Sequence, residues 1–381
     1  MRNGNGRGTL PAGVVAGATG RAAGPVGTTA AAGSRTRRVA AGAALGLAAL
    51  LATPATALAA PASAPVAARV TPVAAGALHE PPHAHAGHGQ DSVRYVSVKG
   101  CRSKGGEPRP CGAWRVVMHS GARGTLPDAQ TIARDAKGRK ASTVAAPVAV
   151  SGNGQRLAYF TRSGRLALRT LGGGVSLLPE NALPKVAQYE TGLRLSDDGS
   201  RLAVSFTGDK ARDTRVFDTG TGERIGTIPS AYELKGFSAD GGEVLAGSED
   251  DEGSQILVAY SDAGQELARV TPPQLIASNG PPALSGDGRT VAALVAKRRL
   301  ALYDMASDQV TARLKVKLPA GDVEMVDWTG PSQVTVHLVA YHDSKPDTVA
   351  IAQIDTGTGK VTIRDRYPLL KDTFVFAACG G

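Results

Sequence analysis

The first 59 residues hold six Arg and not one Asp or Glu. The formal charge of +10 over 381 residues therefore belongs mostly to one end of the chain. What remains is 37 basic against 33 acidic residues, a net of +4, which removes the basic excess that a nucleic-acid partner asks for. The one short basic run, Lys297-Arg298-Arg299, has no aromatic residues interleaved with it, and aromatics make up only 4% of the chain. No nucleic acid is expected as a partner. Catalytic signatures are missing too: there is no Gly-x-Ser-x-Gly elbow and no phosphate loop with its Lys. The 48 Gly follow no triplet, which excludes collagen, and a hydrophobic share of 42% excludes a wholly disordered chain. The length accommodates two or three domains, or one long all-β domain.

What the N-terminus does contain is the grammar of export. Arg35, Arg37 and Arg38 precede an apolar run from Val39 to Ala52, and Ala57-Leu58-Ala59 supplies a small-x-small cleavage site. Residues 1–59 are accordingly read as an N-terminal extension and signal peptide, cleaved near Ala59, which makes the mature protein secreted or extracytoplasmic. A general secretion signal fits better than a twin-arginine one, because Val39 and Ala40 give little of the pattern expected after Arg37-Arg38. The alternative is a membrane anchor formed by an uncleaved 39–60, which falls near the ~20 residues needed to span a bilayer. No Cys follows the apolar run, so no lipoprotein-type lipidation site is present.

Residues 60–91 are rich in Ala and Pro and then in His, and read as an exposed, disordered linker. Its His79, His83, His85 and His88 are weak candidates for a metal, since they lack the Cys or paired carboxylates that would complete a ligand set. No cofactor is expected.

From Asp91 onward, short alternating β-branched runs are cut by Gly, Asp and Ser, and one grammar repeats: an apolar strand, a hydroxyl residue, a tight turn, a second apolar strand. Leu193-Arg-Leu-Ser-Asp-Asp-Gly-Ser-Arg-Leu-Ala203 shows it best. The hydroxyl anchors Ser151, Ser196, Ser238, Ser285 and Thr329 are spaced 45, 42, 47 and 44 residues apart, close to the period of ~40–45 residues of a four-stranded propeller blade. Downstream elements such as Asp218-Thr-Gly-Thr-Gly222 and Asp355-Thr-Gly-Thr-Gly359 supply the positive-φ positions that tight hairpins need.

With their Ser-x-Asp-Gly turns and Asp-x-x-Thr-Gly elements, these repeats resemble the bacterial WD-repeat, TolB-like and quinoprotein-like propellers over about residues 92–381. The resemblance implies an all-β fold of four-stranded antiparallel blades. Five blades are anchored, and a sixth follows if the tail Phe374-Val-Phe-Ala-Ala-Cys379 supplies the first strand before Asp91–Gly100 as the second, so that the C-terminal strand closes the ring. Residues 120–147 hold more chain than one connection requires, which keeps seven blades as the alternative. A hairpin brings Cys101 and Cys111 within disulfide range and leaves Cys379 at the far end of the second strand. The predicted bridge is Cys101–Cys111, with a bridge from Cys379 to either as the alternative.

Candidates for chemistry are few. Ser248-Glu-Asp-Asp-Glu252 could offer oxygen ligands to a cation but reads as a solvated loop tip. His119, His337 and His342 lie in or beside predicted strands and are the only candidates for acid/base work, with His337 expected in the core. No residue is assigned a catalytic role. The expected function is an exported, monomeric, non-catalytic propeller that binds a protein or small ligand at the cell envelope, through loops such as 179–192, 229–235, 271–283 and 318–325. The alternative is a propeller hydrolase, lactonase-like, with a metal or acid/base site in the channel; it rests on analogy of fold.

Overall fold

The structure, a computed structural model, describes residues 91–249, 252–277, 280–295 and 298–380. Within it the hydroxyl anchors close the turns between first and second strands. Ser196 Oγ donates to Asp198 Oδ1 at 2.7 Å and accepts the backbone N–H of Arg201 at 3.0 Å. The same pair of bonds recurs at Ser151 with Asn153 and Arg156, at Ser238 with Asp240 and Glu243, and at Ser285 with Asp287 and Thr290. The next residue in each turn is Gly154, Gly199, Gly241 or Gly288, with φ from +67 to +76°, a backbone that side chains with a Cβ adopt only at a cost. The degenerate repeat differs: Thr329 Oγ1 is bonded to Thr335 Oγ1 at 2.8 Å, and Gly330-Pro331 provides no carboxylate for the turn.

Each repeat becomes one four-stranded antiparallel blade, ordered from inner to outer strand as it runs in sequence, and six blades complete the ring. In blades two to six the inner strands are Val148–Val150, Thr191–Leu195, Glu233–Phe237, Ala283–Leu284 and Asp322–Gly330. Blade one takes its inner strand, Thr373–Ala378, from the far end of the chain and continues with Val93–Arg102, Pro108–Met118 and Arg123–Leu126. Tyr95 pairs with Ala378 and Ser97 with Phe376 in this closing seam. Residues 120–147 do not add a seventh blade. Ile132–Arg134 and Lys140–Ala145 form a two-stranded ribbon between blades one and two, pinned where Trp114 Nε1 donates to the Gln130 carbonyl at 3.0 Å.

The core lies between blade faces. Val96, Trp114, Val148 and Tyr159 pack together where blades one and two meet, and Tyr95, Ile351, Tyr367 and Phe376 where six meets one. Cys101 and Cys111 are bridged across the first hairpin of blade one, with Cα atoms 5.9 Å apart, while Cys379 is buried outside the bridge. The meander gives the ring two unlike faces. One carries the tight anchor turns and the outer hairpins, hereafter the turn face. The other carries the middle hairpins, including the bridged one, and the connections between blades: the loop face. The signal segment, the linker and the histidines at 79, 83, 85 and 88 lie outside the described residues. Among the described residues, no helix is long and apolar enough to cross a membrane.

Candidate functional site

The inner strands line a central channel, and one position of the repeat, two residues before the anchor, forms a layer around it. Its occupants, from blade one to blade six, are Ala377, Ala149, Arg194, Gly236, Ala283 and Asp327. Four are small and two are charged, on blades three and six, which face each other across a six-membered ring. The Arg194 guanidinium spans the channel to the Asp327 carboxylate. Gly236 makes room for it, since a Cβ there would meet Arg194 Nη2 at 3.0 Å. The pair is largely withdrawn from solvent, with side chains 16% and 23% exposed.

A second layer, one residue after the anchor, narrows the mouth on the turn face. Its members include Gly380, Gly152, Asp197, Ala239 and Gly286. Asp197 leans over its glycine neighbours: a Cβ on Gly152 would stand 1.9 Å from Asp197 Oδ1, and one on Gly380 3.3 Å. Any larger side chain at 152 would displace the carboxylate. Burial pushes the Asp197 carboxyl up to about 7, helped by the negative charges of Asp327 and Asp198. What remains open among Arg194, Asp197, Phe237, Asp327 and Trp328 is a cavity of about 50 Å³. That is room for one or two waters, well short of the ~300 Å³ of a small-molecule site.

The three candidate histidines go to three different places. His337 is buried on the second strand of blade six, beside the Arg194–Asp327 pair, and burial lowers its pKa against the pull of the Asp327 carboxylate. Its Nε2 has no hydrogen-bond partner among the described residues. His342 sits on the loop face, where its backbone N–H donates to Asp347 Oδ1 at 2.8 Å. His119 follows the third strand of blade one on the turn face, with Nε2 3.3 Å from Cys379 Sγ. They do not converge on one substrate position. Of the basic run, Arg298 donates to the carbonyls of Pro319 and, at 3.0 Å, Gly321, clamping the connection from blade five to blade six. An open groove on the turn face between blades five and six is lined by Ser285, Thr290, Trp328 and Thr356; its acid, Asp287, is already bonded within its own turn.

The buried Asp197 sets a pH dependence. In the folded chain its pKa is raised above the unfolded value of 3.8, so the native state holds the extra proton between pH 3.8 and about 7. Stability is therefore greatest below that window and is lost as pH rises through it. A full shift of this size corresponds to about 1.4 kcal/mol per pKa unit, and partial exposure to water reduces it to roughly 1–3 kcal/mol. Thermal melts of Asp197→Asn from pH 4.5 to 8.5 should show a raised melting temperature at pH 8, little change at pH 4.5, and a flatter profile than wild type.

No family model matches the chain, and no curated protein matches it. Solved structures similar to it are a protein assigned as TolB from Agrobacterium tumefaciens, at 15% identity over 73% of this chain and 90% of that one with a TM-score of 0.41, and TolB from Acinetobacter baumannii, at 14% over 74% and 66% with 0.40. The β-propeller domain of Cps50 (Swd1) from Myceliophteria thermophila is similar at 16% identity over 72% and 83%, with a TM-score of 0.36. The likeness is one of fold.

Proposed function

We propose that this protein is an exported, non-catalytic β-propeller that binds a protein partner through its loop face. The observation that carries the reading is where the aromatic surface lies. Tyr189, 45% exposed in the connection from blade two to three, and Tyr341, 40% exposed in the middle hairpin of blade six, both open onto the loop face. Half-buried Tyr232, in the connection from blade three to four, adds the Arg269 guanidinium 5.1 Å from its ring centroid. Tyr and Arg are the residues that most often anchor protein interfaces. The bridged Cys101–Cys111 hairpin stiffens the same face, and a disulfide fits an oxidising compartment, in keeping with the signal-like N-terminus. The alternative, hydrolysis in the channel, would need a substrate cavity several times larger than the one between Arg194 and Asp197.

Capture of partners from envelope extracts tests the reading. Wild type and Glu223→Ala, a change on the turn face, should retain the same partner. Tyr189→Ser combined with Tyr232→Ser should lose it by at least tenfold, since such anchors contribute about 2 kcal/mol or more each. Equal recovery with all three proteins, or no partner with any, would overturn the reading.

A further inference from the structure

Cys379 occupies the anchor position of blade one, the position held by Ser in blades two to five: it follows Ala378, paired with Tyr95, as Ser196 follows Leu195, paired with Leu202. In those blades the anchor bonds to a carboxylate or amide two residues on and to a backbone N–H five residues on. In blade one the chain that completes the turn comes from the other end of the sequence, and the thiol is turned to another partner. Its Sγ lies 3.3 Å from His119 Nε2. His119 Nδ1 lies 3.6 Å from Asp365 Oδ2, on the outer strand of blade six. Asp365 is held by Arg94 Nε at 2.9 Å, and Arg94 Nη2 donates to the His119 carbonyl at 3.4 Å. Thiol, imidazole and carboxylate thus stand in line, the order in which a nucleophile, its base and an orienting group work.

A second observation stands beside this geometry. The Tyr367 hydroxyl, on a residue only 4% exposed, has no hydrogen-bond partner among the described residues. Burial, and next the charges of Cys379 and Asp365, hold its phenol well above the ordinary range, so it remains an O–H donor. An orphaned buried donor beside a thiol fits a site where negative charge develops on sulfur. Around the thiol stand, among others, His119 at 3.3 Å, Asp365 and Arg94 behind the imidazole, and Tyr367, on whose ring Tyr95 stacks at 5.1 Å. Cys379 itself is 2% exposed, while the His119 and Asp365 side chains are 15% and 14% exposed, so the approach from their side admits only small reagents.

We propose that Cys379 is a reactive thiol that exchanges with small disulfides, with His119 as its base and Asp365 as the residue that positions the imidazole. The proton leaves Cys379 Sγ for His119 Nε2. The thiolate attacks one sulfur of the small disulfide, forming the Cys379 mixed disulfide and breaking the original S–S bond. The departing thiolate takes the proton from His119 and leaves as a thiol, so atoms and electrons balance with the disulfide as the only oxidant.

The test uses 2-hydroxyethyl disulfide on the folded full chain, with adducts read by intact mass and located by peptide mapping against time and pH. One adduct per chain on Cys379, formed well below the melting transition, is expected. His119→Gln should slow its formation at pH 7 by at least about tenfold and move the pH at which the rate rises. Asp365→Asn and Tyr367→Phe, each checked by thermal melting, should slow it to a smaller degree. No adduct in the folded protein, adduct only where the chain unfolds, or an unchanged rate and pH profile in His119→Gln and Asp365→Asn would each overturn the proposal.

Discussion

A chain ending at Asp372 should fail to fold, although it loses only the last nine of 381 residues. The missing segment is the inner strand of blade one, and Val375, Phe376, Ala377 and Ala378 are all buried there. Burial of a Val or Phe side chain contributes about 1.5–3 kcal/mol each. Its loss also uncovers the edge of Val93–Arg102, where five register pairs with the closing strand are made. Since a domain is stable by about 5–15 kcal/mol in total, the sum is enough to unfold or aggregate the ring. Circular dichroism and soluble yield would report it. A truncated chain that melts within a few degrees of wild type would show that blade one is not closed by this strand.

The second large effect belongs to the strut across the channel. Arg194→Leu should destabilise the protein by about 3–5 kcal/mol at pH 8, because it leaves the Asp327 charge buried beside Asp197 with its counter-ion gone. The loss should shrink at pH 5, where the raised carboxyl of Asp197 holds its proton and one negative charge fewer stands beside Asp327. The double change Arg194→Leu with Asp327→Leu should recover much of the stability, since two apolar side chains of similar volume meet where the ions were. Melts of the two single variants and the double variant at both pH values give the coupling directly. Additive losses, with no recovery in the double variant, would mean that the two residues do not act as a pair.

Much of this was legible in the chain before any coordinates. Ser151, Ser196, Ser238 and Ser285 mark their turns because one hydroxyl makes the same two local bonds each time, and local chemistry leaves a local signature. The blade count was legible only once the tail was read into the head, and the ribbon at 132–145 was not, since its two short strands carry the same β-branched pattern as a blade. The strut is present in the repeats as the one Arg and one Asp among small residues two positions before the anchor. Its meaning depended on knowing that six blades put the third and sixth opposite each other.

The line of Cys379, His119 and Asp365 left no spacing to find, because its members come from two blades and a closure that reunites distant parts of the sequence.

The closing seam also sets an order of events. Blades two to six are each built from contiguous chain and can form their hairpins as soon as the segment exists. Blade one cannot: Arg115 and its partner Thr373 stand 258 residues apart. Contacts of such separation are the slowest to find. The final architecture therefore waits on the last strand to be synthesised, and until then the edge at Tyr95–Lys99 stays unsatisfied and sticky. Delay is thus built into the topology, giving the nascent chain an interval in which it is still thread rather than ring, and in which a chaperone or a narrow pore would meet it unfolded.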